Sequence, residues 1–508
     1  MANTESWKSS FFSRKSFLGT ARFKLPIVFG AALAGSLGLS AGIIYPNPFF
    51  SIDSSGILST SGKIDTTNPF FRPLGTNGRT CNSCHLAASA WSITPADVHA
   101  KFDATKGMDP IFRTNDGSNC PSADVSTPRA RSSAYSMLLN KAVLRIALPM
   151  PENAEFQIID IDDPYNCPET TTSHPAFYRR PLPSTNLSFL SAVMWDGRET
   201  VFGAIAGKSL NLEQSLENQA LDAITGHAQG NVPSTEQLAQ IAEFEKAIST
   251  AQVFDVRAGR LDAGGAKGGP VALSQQNTYI GINDALGGDP TGAAFNPNVF
   301  TLYESWMHSH SLYRQSVARG EALFNNLPIP ITGVAGLNDA LKQPVIMGTC
   351  TTCHDSPNAG NHSFSVPLGI GTTAYPAEPA LDLAGLPVYT VQCLATGETT
   401  QVTDIGRAMI SGKCADIGKV KGPVLRGLAA RAPYSITAEP RRWLMRLSFI
   451  TSASILRSLR SKRRTWRRSF GRSELPMSPK KGDMGHSKFV GILSASLRSQ
   501  RCQCDEGC

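Results

Sequence analysis

The chain has 508 residues, of which 41% are hydrophobic and 17% charged, with 44 glycines and 33 prolines. This composition is typical of a loop-rich globular protein of two or three domains, and it excludes a disordered chain or a collagen-like repeat. A chain of this length can bury a large core, so its 11 cysteines are not needed to staple a small fold and require another explanation.

The positive charge is concentrated at the C-terminal end. The formal net charge is +8, yet residues 441–508 hold 16 Lys and Arg against 4 Asp and Glu, which leaves the rest of the chain at −4. A basic run confined to one end is not the distributed patch that phosphate binding requires. We therefore expect no nucleic-acid partner.

The first 45 residues predict export. Basic residues between Lys8 and Lys24 precede an uncharged stretch of small and apolar residues over 25–45. A positive end followed by an apolar segment is the charge order of an export signal. The stretch is about as long as a membrane span, so a cleaved signal and an uncleaved membrane anchor both stay open. In either case we expect the rest of the chain in the periplasm, soluble or anchored by this segment.

Two stretches of the chain have the form C-x-x-C-H. They are Cys81-Asn-Ser-Cys84-His85 and Cys350-Thr-Thr-Cys353-His354. Two thiols separated by two residues can bond both vinyl groups of one porphyrin, and the following His then binds the iron. A zinc site would need four ligands in one cluster, and a thioredoxin-type redox pair would not need the His. The sequence therefore predicts two covalently bound haem c groups, with His85 and His354 as iron ligands.

Four further cysteines fall as one pair in each haem region. The pairs are Cys120 with Cys167, and Cys393 with Cys414. Each pair could be a disulfide in an exported protein. Nothing in the sequence fixes the distance between the sulfur atoms, so free thiols stay open as well.

Hydrophobic periodicity predicts helices over residues 234–254 and 311–324, where apolar residues recur every three or four positions. Residues 258–297 are rich in Gly, Ala, Asn and Asp, which predicts a long surface excursion. We expect a mainly α fold with two loop-rich c-type cytochrome domains, each wrapping one covalently attached haem. The predicted segments are an export segment over 1–45, an N-terminal domain with linker over 46–310, a C-terminal domain over 311–440 and an aberrant basic tail over 441–508.

Four short motifs accompany the two haem motifs in a fixed order. They are Met194-Trp-Asp-Gly-Arg198, Thr403-Asp-Ile-Gly-Arg407, Lys421-Gly-Pro-Val-Leu-Arg426 and Arg431-Ala-Pro-Tyr434. With the C-x-x-C-H pair, this set resembles the bacterial di-haem cytochrome c peroxidase family, which includes the MauG-type enzymes. The resemblance runs from about residue 68 to Tyr434.

The resemblance implies that the two haems have different functions. Hydrogen peroxide would bind at the haem of His85, while the haem of His354 would receive electrons from a small donor protein, a cytochrome c or a cupredoxin. Trp195 matches the family's tryptophan between the porphyrins, although a core tryptophan is the other interpretation. Asp196 and Arg198 are expected to form a structural ion pair near haem propionates.

Cleaving peroxide requires a group that moves a proton above the open haem face. The family normally uses a Glu after the Trp-Asp-Gly-Arg motif, and Gln229 occupies the corresponding position, where an amide cannot carry protons. His227 is the nearby candidate, as an acid/base, as a sixth iron ligand, or as a loop histidine without a catalytic function. Glu213 and Glu217 are weaker candidates for proton transfer.

The chain departs from the family at two further sites. Arg180 stands where the resemblance places an Asn ligand of a calcium ion between the domains, which puts that calcium in doubt. The distal ligand of the second haem should follow Tyr434, where the resemblance stops. Met347, Met409 and His362 could replace it.

The tail after Tyr434 suggests a frameshift. Codons permitted for residues 435–443 yield Phe-His-Asn-Gly-Arg-Ala-Ala-Thr-Leu when one base is inserted, and Phe-His-Asn-Gly is the family's continuation. The alternative is a true basic tail that binds acidic lipid or nucleic acid.

Three functions follow as expectations. The first is a peroxidase that reduces hydrogen peroxide to water. The second is a MauG-like oxidase that acts on a protein or organic substrate with the same two haems. The third is an electron carrier without catalysis, in which both irons have six ligands.

Overall fold

The computed structural model describes residues 50–53, 56–203, 210–360, 366–376, 382–434 and Ile436. The predicted export segment over 1–45, the basic tail over 441–508, the start of the frameshift at Ser435 and His362 all lie outside the described residues. No helix in the described part of the chain is both long enough and apolar enough to cross a membrane.

The described chain contains both helices and strands. The helices are α1 (Pro95–Thr105), α2 (Pro128–Ala134), α3 (Ser136–Lys141), α4 (Leu212–Asp222), α5 (Thr235–Ala247), α6 (Pro270–Ser274), α7 (Leu312–Asn326) and α8 (Ala408–Ser411). The strands are β1 (Phe50–Asp53), β2 (Gly56–Ser61), β3 (Leu144–Ala147), β4 (Phe156–Asp162), β5 (Ala176–Arg179), β6 (Ser249–Asp255), β7 (Gly259–Arg260), β8 (Ile329–Ile331), β9 (Ile346–Gly348), β10 (Val388–Cys393) and β11 (Thr399–Val402).

The expectation of a mainly α fold made of two cytochrome domains is wrong. The structure is 28% helix and 16% strand, and the strands form four small sheets. The helix predicted over 234–254 illustrates why the strands were not predicted. A hydrogen bond from the Gln237 N–H to the Ser234 side chain caps the start of α5, but the helix ends at Ala247 and Ile248 is extended. The remaining residues form β6, whose partner β2 lies far away in sequence, where a local apolar pattern cannot detect it.

Two of the sheets join distant parts of the chain. One has the strand order β1-β2-β6-β7 and another has the order β11-β10-β4, with every pairing antiparallel. In the second sheet Phe156 pairs with Cys393, and Ile158 pairs with Val391. The segments on either side of residue 310 therefore share a sheet, and the described residues fall in one compact unit.

Both cysteine pairs are disulfides. The Cα atoms are 5.4 Å apart in Cys120–Cys167 and 5.8 Å apart in Cys393–Cys414. The second bond ties the end of β10 to the turn after α8, beside a buried cluster that includes Tyr389. The disulfide alternative therefore holds for both pairs.

The predicted helix over 311–324 is confirmed as α7, and the Ser311 side chain accepts a hydrogen bond from the Arg314 N–H at its start. The excursion over 258–297 holds only the two-residue strand β7 and the five-residue helix α6. Near the end of α7, the Phe324 ring lies 5.6 Å from the His354 ring. The helix therefore packs directly against the second C-x-x-C-H motif.

Candidate functional site

The two C-x-x-C-H motifs adopt the same local backbone structure. The first three residues of each form a 3₁₀ turn, Cys81–Ser83 and Cys350–Thr352. The N–H of the threonine before each turn donates to the side chain of the third turn residue at 3.0 Å. In both motifs the histidine N–H donates to the carbonyl oxygen of the first cysteine at 3.1 Å. The same sequence pattern therefore builds the same turn twice.

Each motif histidine is held through Nδ1. The Nδ1–H of His85 donates to the carbonyl oxygen of Trp91 at 3.1 Å, and that of His354 donates to the carbonyl oxygen of Ala359 at 3.0 Å. Burial lowers the pKa of His85 to about 4 and also lowers the pKa of His354. Both imidazoles are therefore neutral, and Nε2 is the nitrogen available to a metal.

The four motif thiols are free and partly buried. None of the described motif cysteines forms a disulfide. Burial raises the pKa of Cys84, Cys350 and Cys353 to about 11 and raises the pKa of Cys81 further. Buried neutral thiols are poor nucleophiles, so the motifs lack the depressed thiol pKa of a disulfide-exchange site.

The first motif forms part of the wall of a large cavity. The empty space, counted out to the solvent at its mouth, is about 1420 Å³. Cys81, Cys84 and His85 lie in the wall, and apolar side chains such as Leu216 and Ile241 make up most of the lining. The wall of the cavity beside the motif is therefore mainly apolar.

Two buried cations in the lining have no acidic partner. Arg180 and Lys421 are 5% and 4% exposed, and neither forms an ion pair with any described residue. Burial lowers the pKa of Lys421 to about 7, and burial together with the neighbouring Arg431 lowers the pKa of Arg180 to about 9. Because buried charges are normally paired, an anionic group of a bound molecule would suit this part of the lining.

Trp195 also lines the cavity and connects it to the C-terminal segment. Its indole Nε1–H donates to the carbonyl oxygen of Arg180 at 2.8 Å, and its own carbonyl oxygen accepts from the Lys421 N–H at 2.8 Å. Trp195 is 8% exposed and packs with Val420 and Ile436. It is therefore a packed core residue that also forms part of the cavity wall.

Two of the sequence motifs meet in a buried ion-pair network. Asp196 accepts from Arg179 at 2.5 Å and from Arg198 at 3.1 Å, so the expected Asp196–Arg198 pair is present. Arg179 also donates to both carboxylate oxygens of Asp404, at 2.7 and 2.9 Å. Arg407 donates to the carbonyl oxygen of Asp196 at 3.1 Å. The network therefore fixes the backbone next to Trp195.

His227 lines the same cavity as His85. It ends a π turn, Ala223–His227, that follows α4 directly, and such turns occur often at functional sites. Its Nδ1 lies 2.5 Å from Asp116 Oδ2, and Asp116 also pairs with Arg79 at 2.5 Å. Asp116 is 5% exposed, whereas the His227 side chain is 34% exposed. The carboxylate therefore holds Nδ1–H, and Nε2 is left for the cavity.

The other proton-transfer candidates lie elsewhere. Gln229 is exposed, its side-chain oxygen accepts a hydrogen bond from Asn77 at 3.2 Å, and it is not among the described residues that line the cavity. Glu213 is exposed and pairs with Lys246 at 2.9 Å. Glu217 likewise does not belong to the described lining. The structure thus brings His227, and not these three residues, to the wall shared with His85.

Arg180 occupies the position that the resemblance gives to a calcium ligand. Its guanidinium donates to the carbonyl oxygens of Ile93 and Pro433, which lie in the N-terminal and C-terminal segments. These two carbonyl oxygens already accept hydrogen bonds from a cation. A divalent ion here would meet a buried positive charge, so the described residues do not fit a calcium site.

We therefore expect calcium removal to leave the protein unaffected. Treatment with a chelator should not change Tm in a thermal unfolding experiment, whereas Arg180→Met should destabilise the fold by about 1–3 kcal/mol for each carbonyl that it leaves buried without a donor. Arg129→Met, a replacement of an exposed arginine, serves as the control. A drop in Tm on chelation that added calcium reverses would contradict the assignment.

The second motif differs in its surroundings. Met347, in β9 just before the motif, is 67% exposed, whereas Met409 is 4% exposed in the core cluster around Tyr389. His362 lies outside the described residues. The two described methionines named as replacement ligands thus lie in very different environments, one at the surface and one in a core.

Glu321 of α7 destabilises the fold, and the size of this effect depends on pH. It is 2% exposed, one oxygen accepts from the Tyr303 N–H at 2.7 Å, and Oε1 has no partner. Burial raises its pKa to about 7. The folded state therefore keeps a proton that the unfolded chain releases near its ordinary value, so stability should fall as the pH rises from about 4.5 to 7.

Replacing Glu321 by Gln should remove this dependence. At pH 8 we expect Glu321→Gln to be about 1–3 kcal/mol more stable than the unmodified protein in urea titrations, with little difference at pH 4. Glu304→Gln, at an exposed position nearby, should follow the unmodified protein at both values. Equal stability gains at pH 4 and pH 8 would rule out the ionisation of Glu321 as the cause.

Three charged residues at or near the candidate site were not predicted from the sequence. Asp116, Arg179 and Glu245 are single charged residues outside the motifs, and charged residues are usually solvated. Their burial, between 3% and 5% exposed, is what distinguishes them. For Glu245 the sequence did offer an indication of burial, because this residue directly follows Phe244 within the apolar pattern of the predicted helix.

Comparison with protein-family models, with curated proteins and with solved structures gives no match to this chain.

Proposed function

We propose that the chain is an exported di-haem c-type peroxidase that reduces hydrogen peroxide to water with electrons from a small periplasmic redox protein. The observation that carries this proposal is the cavity in which the first C-x-x-C-H motif lies beside buried cations without acidic partners. The residues fit a haem: Cys81 and Cys84 for its vinyl groups, His85 Nε2 for its iron, and Arg180 and Lys421 for its propionates.

A haem bound by His85 would supply the redox centre at which the O–O bond of peroxide is reduced. Reduction to two water molecules also consumes two protons. His227 is the residue placed to move them, because its Nε2 is left for the cavity while Asp116 holds Nδ1–H. Asp116 also fixes the orientation of the imidazole, so Nε2 is the nitrogen that would exchange a proton with peroxide.

The second motif would hold the haem that receives electrons. Cys350, Cys353 and His354 have the same local geometry as the first motif. Trp195 contacts both the cavity and residues 420 and 421, so its indole would shorten the path for electrons between the sites. We infer that a cytochrome c or a cupredoxin supplies these electrons.

One observation favours a second candidate, a di-haem electron carrier. A histidine whose Nδ1–H donates to a carboxylate is also the usual form of a metal-ligating histidine, and His227 has this arrangement. If Nε2 bound the iron as a sixth ligand, peroxide could not enter. The two candidates differ in the coordination of the first iron.

The test uses the full chain produced with the machinery that attaches haem c. Mass spectrometry should detect two covalent haems, and donor oxidation in the visible bands should reach two pre-reduced cytochrome c molecules per peroxide. The double variant Cys81→Ser/Cys84→Ser should lose one haem and all turnover. Its counterpart Cys350→Ser/Cys353→Ser should keep the first haem but lose donor oxidation.

Each outcome separates the candidates. Absence of covalent haem would refute the proposal. Two haems with low-spin spectra and no turnover would assign the electron carrier. Peroxide consumption without oxidation of the donor would contradict the peroxidase and point to an oxidase that acts on another substrate.

A further inference from the structure

A buried carboxylate lies behind the imidazole of the first motif. Glu245, in α5, is 3% exposed and is the acidic side chain among the described residues that line the cavity. Its carboxyl group lies beside Ser184, and its Oε2 has no partner. Ser184 Oγ in turn lies 3.0 Å from His85 Nδ1. The hydroxyl therefore lies between the imidazole and the carboxyl group.

The direction of hydrogen bonding through Ser184 follows from the donors and acceptors. The His85 Nδ1–H is shared between the carbonyl oxygen of Trp91 and Ser184 Oγ. A serine hydroxyl can accept one hydrogen bond while it donates another. Because its oxygen accepts from the imidazole, the Ser184 hydroxyl has its own O–H to donate to the Glu245 carboxyl group, which would link the imidazole N–H to Glu245 through a single hydroxyl.

Glu245 has no other interaction that would explain its burial. It forms no ion pair with a described residue, although Arg180 and Lys421 line the same cavity. An unpaired buried carboxylate destabilises a fold, and its pKa is raised by burial to about 7. A buried carboxylate that destabilises the fold and lies in the wall of a binding cavity is a candidate for a function in that cavity.

The second motif lacks such a carboxylate among the described residues. The Nδ1–H of His354 donates to the carbonyl oxygen of Ala359, and the backbone of Gly360 is the other group that hydrogen-bonds the imidazole. The two motifs thus share their turn but differ in what lies behind the histidine. This difference would distinguish the two sites if each motif held a haem.

We propose that Glu245 is a positioning residue of the first haem site, which acts through Ser184 to orient the His85 imidazole and to increase its electron donation to the iron. This inference rests on the proposed function, because it requires a haem at the first motif. A carboxylate behind a ligating histidine raises the basicity of the ligand. A more basic ligand stabilises the ferric state and lowers the reduction potential of that haem.

The test compares the reduction potentials of both haems in the haem-loaded full chain. In Glu245→Gln the side chain keeps its size and loses its charge, and in Ser184→Ala the link itself is removed. For each variant we expect the reduction potential of one of the two haems to rise by about 59 mV. For a one-electron couple, this shift is a factor on the order of 10 in the ferric–ferrous equilibrium constant. The iron–histidine stretching frequency of the ferrous first haem should fall in parallel.

Glu243→Gln is the matched control, since Glu243 is exposed on the same helix two residues away. It should leave both potentials and the stretching frequency unchanged. A purely structural role for Glu245 would lower the Tm of its variant without moving either spectroscopic quantity, and that result would overturn the inference. If Glu245→Gln does not fold, Ser184→Ala alone decides the question, and Ser184→Thr should restore the original potential.

Failure of the inference and failure of the proposed function are distinguishable. A chain without covalent haem, or with haems and no turnover, contradicts the peroxidase itself. A chain that carries two haems and turns over peroxide, but whose potentials do not respond to Glu245→Gln or Ser184→Ala, contradicts the inference alone.

Discussion

Replacing His227 by glutamine is expected to lower peroxide turnover by about 10²–10⁴-fold, the usual contribution of a general acid/base. His227 lines the cavity of the first motif, and its Nδ1 is 2.5 Å from Asp116 Oδ2. The amide of glutamine can hydrogen-bond but cannot exchange a proton at neutral pH. Stopped-flow measurement of donor oxidation, with peroxide varied, gives kcat and KM separately, and kcat should carry the loss.

The control for this prediction is His99→Gln, because His99 is exposed on α1 and does not belong to the described lining of the cavity. Asp116→Asn is a second variant to measure, since it keeps a hydrogen-bonding group but removes the charge opposite His227 Nδ1. It should lower kcat by less than His227→Gln does. If His227→Gln instead converts a low-spin first haem to high spin, the histidine is a sixth ligand and the electron carrier is the better description.

The sequence predicted those parts of the molecule that depend on local chemistry. The helix that begins after Ser311 and the disulfide between Cys393 and Cys414, which was one of two alternatives left open by the sequence, both involve residues close together in the chain. The strands escaped prediction because β6 pairs with β2, and β10 with β4, across long sequence separations. Apolar spacing within a short window carries no information about such partners.

The candidate site was only partly predictable for a related reason. The sequence names His227 as the proton-transfer candidate beside Gln229, but it leaves the role of His227 open between an acid/base, a sixth iron ligand and a loop histidine. The π turn that ends at His227 and the left-handed backbone of Gln229, at φ +52°, send the two side chains to different surroundings. The buried partner Asp116 has no sequence signal at all, because its role depends on meeting Arg79 and His227 in the folded chain.

Removing the Arg179 guanidinium is expected to cost about 3–5 kcal/mol of folding free energy, because it leaves buried carboxylates without their shared partner. Arg179 is 3% exposed and binds Asp196 and Asp404, both of which are fully buried. Such a loss is a large fraction of the roughly 5–15 kcal/mol that stabilises a typical protein. Urea unfolding of Arg179→Met, followed by circular dichroism, measures it.

The pH dependence of stability gives a second readout for the same network. Burial alone would raise the pKa of Asp196, but attraction to Arg179 and Arg198 outweighs burial and holds the pKa at about 2. The folded state therefore binds this proton less readily than the unfolded chain, so the contribution is present above pH 4 and is lost as the pH falls towards 2. In Arg179→Met this acid-dependent loss should shrink, because the pKa of Asp196 moves up.

Arg198→Met is the matched control, since Arg198 is the more exposed of the two arginines that bind Asp196, at 15%. Its loss leaves Asp196 paired with Arg179, so we expect about 1 kcal/mol or less. Equal effects of the two substitutions would contradict the view that Arg179 bridges the motifs. Because Asp196 directly follows Trp195 and Asp404 belongs to the C-terminal segment, the bridge ties the cavity wall to the second motif's part of the chain. If both motifs bind haem as proposed, its loss should also slow electron transfer between the two haems in molecules that remain folded.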